Sequence, residues 1–264
     1  MNVTEVAALL RAAALEEILP RYRKVSAHLK ADGSWLTEAD TAMQNRVQRD
    51  LAARWPDIPF LGEEMSAEAQ QALMQQADTG LWILDPVDGT SNFSAGVPIF
   101  APSLALLRGG RVVLGVVMDV MRDEVFSAAR GEGAWLNGER MMPVLHDIPL
   151  NKTLACIDFK RLSADLATRL VVQPPYSSQR SIGSVALDWC WVAAGRFHVY
   201  LHGKQGLWDF AAGHLILEEV GGHSCTLDNE PVFNSTLDKR SAVCAGDARL
   251  FAAWCEALGV SSTA

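Results

Sequence analysis

The chain has no apolar run long enough to cross a bilayer. Its longest, Val112 to Val120, falls far short of the ~20 residues a spanning helix needs, so no membrane partner is expected. It also lacks an excess of positive charge. Lys and Arg number 23 against 31 Asp and Glu, and the net charge of −8 argues against bulk nucleic-acid binding or an anionic membrane surface. An acidic chain can still bind an anion where metal ions supply the positive charge. Cysteine is sparse: the five are odd in number and contain no CxxC pair, which excludes a dense disulfide framework and points to a reducing, cytoplasmic compartment. The N-terminus has no basic leader, and Glu5, Arg11, Glu16 and Glu17 interrupt its apolar stretch, so it does not read as a signal peptide. Repeats, low-complexity tracts and long linkers are absent.

What remains is an ordinary globular composition, with a length of 264 residues that implies one large domain or two packed subdomains. The first segment reads as a helix capped by Thr4, with Val6, Leu9, Leu10, Ala13, Ala14 and Ile18 on one face and Pro20 helping to stop it. A second helix runs from about Asp40 to Trp55 on the spacing of Met43, Val47 and Leu51, and residues 67–76 read as a short exposed helix. Leu81-Trp82-Ile83-Leu84 is a short buried strand. Beyond Pro102, apolar runs separated by Arg108-Gly109-Gly110-Arg111, Met121 to Glu124, Gly131-Glu132-Gly133 and Asn137-Gly138 form an antiparallel meander. The later pattern alternates strand and helix: strands near 153–158, 197–201 and 241–245, helices near 163–170, 184–194, 209–220 and 247–257. The class is mixed α and β, with an N-terminal half over 1–148 and a C-terminal half over 149–264 sharing one compact body.

The densest chemical feature is Asp85-Pro86-Val87-Asp88-Gly89-Thr90-Ser91-Asn92-Phe93 at the end of the buried strand. A carboxylate buried there without a counter-charge is costly. Two aspartates bent round a Pro and a Gly can converge on a hard cation, with the Val87 carbonyl and Thr90 hydroxyl as further oxygens. Taken alone, the segment also reads as two solvated turns. Two further acidic segments weigh against that: Glu63-Glu64 on a loop after an apolar stub, and Asp209 where an apolar helix begins. Acidic ligands from three separate loops are a usual way to build a multi-metal phosphoryl-transfer site.

These segments, together with Trp208-Asp209-Phe210-Ala211-Ala212-Gly213, Gly131 to Gly138, Arg180 to Ser184 and Glu219 to Gly222, resemble the inositol monophosphatase family, the Mg²⁺-dependent, lithium-sensitive sugar phosphatases. The likeness covers nearly the whole chain. It implies a layered αβαβα sandwich, often a homodimer, acting on a small phosphorylated metabolite with two to three Mg²⁺ ions. Carried over, Glu63, Asp85 and the Val87 carbonyl bind one ion, and Asp85, Asp88 and Asp209 a second, while a third leans on Glu63 and water. The resemblance also implies that Glu63 and Thr90 orient an attacking water, that Asp40 holds the Thr90 hydroxyl, and that Lys30 lies near the site. The amides of Gly89, Thr90 and Ser91 are expected to cradle the phosphate, and hydrolysis is expected to proceed by in-line attack of a metal-activated water.

The substrate-facing residues depart from the family. Where inositol phosphatases carry a glutamate for ring hydroxyls, this chain has His202 in Tyr200-Leu201-His202-Gly203-Lys204, and Val185 beside Gly183 is bulkier than expected. His202 and Lys204 suit a second anion better than neutral hydroxyls, unless they are a solvated strand-end turn. The expected activity is a phosphomonoesterase of the inositol 1-phosphate type. The alternatives are a phosphatase for fructose 1,6-bisphosphate, 3′-phosphoadenosine 5′-phosphate, NADP or histidinol phosphate, and a non-enzymatic interaction protein retaining the fold. Trp189, Trp191, Cys190 and Cys244 read as core, His146, His214 and His223 as structural or surface, and Cys156 has no visible base partner. Met118, Met121, Met141 and Met142 read as core filling rather than an interface.

Overall fold

The computed structural model describes residues 1–24, 27–29 and 35–260. In the N-terminal half the elements are α1 (Val3–Glu17), β1 (Ala27–Leu29), β2 (Trp35–Thr37), α2 (Glu38–Arg54), β3 (Phe60–Gly62), α3 (Ala67–Met74), β4 (Leu81–Asp88) and α4 (Thr90–Ala95), then β5 (Ala101–Arg108), β6 (Arg111–Asp119), β7 (Glu124–Ala129), β8 (Gly133–Leu136) and β9 (Glu139–Arg140). The C-terminal half follows with β10 (Leu154–Asp158), α5 (Ala164–Val172), β11 (Ser178–Arg180), α6 (Val185–Ala193), β12 (Val199–Gln205), α7 (Leu207–Glu219), β13 (His223–Cys225), β14 (Arg240–Ala245) and α8 (Ala248–Leu258). β3 to β9 form a seven-stranded sheet in sequence order, antiparallel except for the parallel pair β3–β4. β11-β10-β12-β14-β13 form a second sheet of five.

Side-chain alternation along the strands sets the layers. On β4, Trp82 and Leu84 point to a core shared with α1 and α2, while Leu81 and Ile83 point to the opposite face, against α6 and α7. On β12, Tyr200 joins that α6–α7 core, whereas Val199 and Leu201 face the core of α5 and α8. The order α1/α2, large sheet, α6/α7, small sheet, α5/α8 is the expected αβαβα sandwich. With both sheets covered on both faces, their strands are near-continuous apolar runs, as every residue of β4 being buried illustrates.

Three local expectations are corrected. The cap of α1 is Asn2, not Thr4: Asn2 is extended, and its side chain accepts from the Thr4 amide. β4 continues past Leu84 to Asp88, because the chain stays paired with β5 through an irregularity between Asp85 and Asp88, where Pro86 can donate no ladder hydrogen bond. Among the methionines, Met118 is buried in the α1–α2 core and Met141 packs against the α6–α7 core, but Met121 and Met142 are exposed. All five cysteines are free thiols. No helix among the described residues is long and apolar enough to cross a membrane.

Candidate active site

The last residues of β4 place Asp85 and Asp88 at the edge of the α6–α7 layer, and the first turn of α7 brings Asp209 to them. One carboxylate oxygen from each lies within 4.8 Å of the others. Each is positioned by the backbone. Asp85 Oδ1 accepts from the Val87 amide at 3.0 Å, and Asp209 Oδ2 accepts from the Gly206 amide at 2.7 Å. Asp88 Oδ2 accepts from the Ala186 amide at 2.8 Å and from the Ser184 hydroxyl, so the start of α6 clamps it. Gly89 then reverses the chain with φ +89°, a left-handed conformation that favours glycine, and α4 begins at once. Glu63 is anchored just after β3 by its backbone N–H, which donates to the Leu84 carbonyl at 3.0 Å.

Asp40 is fully buried behind Thr90 and fixed by the Thr37 amide at 2.7 Å and the Thr37 hydroxyl at 2.6 Å. The Thr90 hydroxyl lies 2.9 Å from the Val87 carbonyl and 3.4 Å from Asp40 Oδ1. A cavity of about 320 Å³ opens over these groups. Its lining includes Glu63, Asp85, Val87, Asp88, Gly89, Thr90, Ser91 and Asp209, together with Gly183, Val185, His202 and Lys204. Every site residue expected from the sequence therefore meets at one cavity, with Asp40 one layer behind; Lys30 lies outside the described residues.

The electrostatics call for a cation. Burial pushes the Asp85 carboxyl well above the usual carboxylate range, and the charges of Glu63, Asp88 and Asp209 push it further. Asp209 is raised by burial and then by Asp88 and Glu63. Asp88 is pushed up to about 7 by burial, against the pull of the Ser184 hydroxyl and the Ala186 and Val185 amides. Lys239 pulls Asp209 the other way, but among the described residues no ion pair joins a Lys or Arg to any of the three. Hard oxygen donors crowded in this way, with Glu63 and Asp88 raising the pKa of their neighbours, fit divalent cations that favour carboxylate and carbonyl ligands.

Several lining residues were not found from the sequence: Asp158, Lys160, Arg161, Ser184, Asp188 and Lys239. Asp188 did leave a signal, as a lone charge in the apolar helix α6. It is buried, raised well above the carboxylate range by that burial, and accepts from the Cys156 thiol at 2.9 Å. Cys156 thus has a carboxylate partner, contrary to expectation. His202 is buried rather than solvated, and both ring nitrogens are engaged: Nε2 meets Asp158 Oδ2 at 3.1 Å, and Nδ1 accepts from the Lys204 amide at 3.1 Å. Beside it, a Cβ on Gly203 would lie 1.7 Å from the Arg161 carbonyl oxygen. Gly203→Ala should therefore destabilise the fold by roughly 1–3 kcal/mol, read as a lower midpoint in chemical denaturation. A wild-type midpoint would mean that the Arg161 turn yields freely.

A carboxylate cluster where the end of β4 meets the first turn of α7, within an αβαβα sandwich, is the arrangement of a phosphatase. Comparison with known proteins agrees. The profile described as the inositol monophosphatase family matches residues 1–260, and the chain belongs to that family. An inositol-1-monophosphatase of Mesorhizobium japonicum is 32% identical over 233 residues, covering 86% of this chain and 85% of the relative. Nus factor SuhB of Pasteurella multocida is 35% identical, covering 75% of this chain and 73% of the relative. Among solved structures, an IMPase of Thermotoga maritima superposes with a TM-score of 0.81 at 26% identity, covering 97% of each chain. The protein is a phosphoric monoester hydrolase of a family that is generally metal-dependent.

Proposed function

We propose that the protein is a Mg²⁺-dependent phosphomonoesterase acting on a small polyol or sugar phosphate of the inositol 1-phosphate type. The observation that carries this is the convergence of Asp85, Asp88 and Asp209 beneath a cavity of about 320 Å³. In this reading Glu63, Asp85 and the Val87 carbonyl hold one ion, Asp85, Asp88 and Asp209 a second, and Glu63 a third, weaker one. Such ions, when bound, neutralise phosphate oxygens and lower the pKa of water towards neutrality.

The chain's own side chains and amides supply orientation. Glu63 and Thr90 direct the attacking water, and Asp40, held by Thr37, limits the rotation of the Thr90 hydroxyl. The amides of Gly89, Thr90 and Ser91, at the turn from β4 into α4, donate to the phosphate oxygens and help fix the ester for in-line displacement. Gly183 and Val185 line the wall against which the alcohol portion rests. No side chain is needed as a covalent nucleophile.

Relatives called Nus factor SuhB favour a second reading, in which the fold works through a protein partner. Phosphate release separates the two. The purified protein, with and without Mg²⁺, is offered myo-inositol 1-phosphate, fructose 1,6-bisphosphate, 3′-phosphoadenosine 5′-phosphate, NADP and histidinol phosphate. Mg²⁺-dependent release from at least one is expected. Silence from a folded, Mg²⁺-binding protein across all five would discard the enzymatic reading of this site in favour of the partner surface.

A further inference from the structure

The opening of the cavity carries the opposite charge from its floor. Lys160, Arg161, Lys204 and Lys239 line the same cavity as the carboxylates, and all four are exposed. None is ion-paired with a carboxylate among the described residues, whereas Arg46, Arg196 and Arg240 are each held by a glutamate. Arg161 and Lys239 feel Asp158 and Asp209 only beyond ion-pair distance, so four basic side chains gathered at one opening of a chain of net charge −8 can attract an anion.

Two built features hold this rim together. β10 and β12 pair in parallel with Asp158 directly opposite His202. Asp158 Oδ1 accepts from the Lys160 amide at 2.9 Å, its Oδ2 meets His202 Nε2, and His202 Nδ1 accepts from the Lys204 amide. With Nδ1 accepting, the proton of a neutral imidazole sits on Nε2, aimed at Asp158. One His–Asp pair thus fixes the backbone of the Lys160 turn beside that of Lys204 near the end of β12. Gly203 is the second feature, since its missing side chain lets the Arg161 turn lie against β12.

We propose that Lys160, Arg161, Lys204 and Lys239 form an anion subsite for a second phosphate or carboxylate, so that the preferred substrate is a bis-anionic phosphate ester. This rests on the phosphatase reading above and narrows its substrate from a simple polyol monophosphate to an ester that carries a second anion. Ammonium and guanidinium groups are donors only, matched to anionic oxygens rather than to hydroxyls that also need an acceptor. His202 acts here as a positioning residue, not as the anion's ligand, because its nitrogens are already engaged within the protein.

The test compares ester pairs that differ only in the second anion: fructose 1,6-bisphosphate with fructose 1-phosphate, and 3′-phosphoadenosine 5′-phosphate with adenosine 3′-monophosphate. Binding by calorimetry and turnover are measured on the same Mg²⁺-loaded preparations. The wild type should favour the bis-anionic member of at least one pair by about tenfold in kcat/KM and in affinity. Lys160→Ala/Arg161→Ala and Lys204→Ala should each reduce that preference severalfold, through KM rather than kcat. Raising KCl from about 50 mM to about 500 mM should erode it as well. His202→Ala, which unties Asp158, should raise KM for the bis-anionic ester while kcat holds.

Equal affinity for both members of both pairs would overturn the subsite, as would a preference untouched by removing the cations. Absence of phosphate release from all four esters would instead strike at the phosphatase reading, while calorimetry would still decide whether the rim selects the second anion.

Discussion

Asp85→Asn should lower kcat by a factor on the order of 10³ or more at saturating Mg²⁺, because this carboxylate lies between both proposed ion positions. The same substitution should raise the thermal midpoint of the metal-free protein. Burial and the charges of Glu63, Asp88 and Asp209 all oppose ionisation of Asp85, so an isosteric amide removes a strained charge while keeping an acceptor for the Val87 amide. The two effects, read by phosphate release and by calorimetry in EDTA, belong together. Near-normal turnover would remove Asp85 from the reaction; lost turnover with a lowered midpoint would make it a structural residue.

Mg²⁺ should stabilise the protein strongly and more so at neutral than at acidic pH. The sign follows from Asp85, Asp88 and Asp209, whose folded-state pKa values lie above the ordinary carboxylate range, with Asp88 at about 7. Between the unfolded and folded values, the native metal-free state binds more protons than the unfolded one, so its stability falls as pH rises. The cost is absent below the unfolded carboxylate range and complete once pH passes the folded values. A cation that favours the ionised cluster reverses this cost. At roughly a hundredfold excess over Kd, linkage gives about 2.7 kcal/mol, or several degrees in Tm for a chain of this size. The check is the Mg²⁺-induced Tm shift at pH 5 and pH 7 for the wild type and Asp88→Asn. A shift independent of pH, or unchanged in Asp88→Asn, would mean that the cluster does not hold the ion.

The carboxylate floor was legible in the sequence because most of it is local. Asp85 to Phe93 is one continuous segment leaving a buried strand, and its Pro and Gly announce the bend that turns both aspartates the same way. Asp209 and Glu63 were legible as charges beside apolar elements. The rim was not. Asp158 meets His202 only because β10 pairs with β12 in parallel register, and Lys239 arrives from the segment before β14; neither fact leaves a periodic trace. β11 and β13, with three residues each, were too short and too polar to stand out from loops. The cap of α1 was misplaced by two residues because Asn2 and Thr4 are both good caps by type, and only the backbone decides between them.

The two groups of charges also differ in what carries them. The floor carboxylates sit on β4 and the first turn of α7, both packed into the core between the sheets, where a change in length or direction would disturb much of the fold. The rim cations are all exposed: Lys160 and Arg161 on a three-residue 3₁₀ turn, Lys204 near the end of β12 and Lys239 in the segment before β14. Surface segments of that kind accept substitution at little structural cost. Descent with modification can therefore redraw which molecules are admitted while the bond-breaking apparatus stays as it is, and a protein engineer wishing to redirect this scaffold has about four side chains to vary before touching anything the fold depends on.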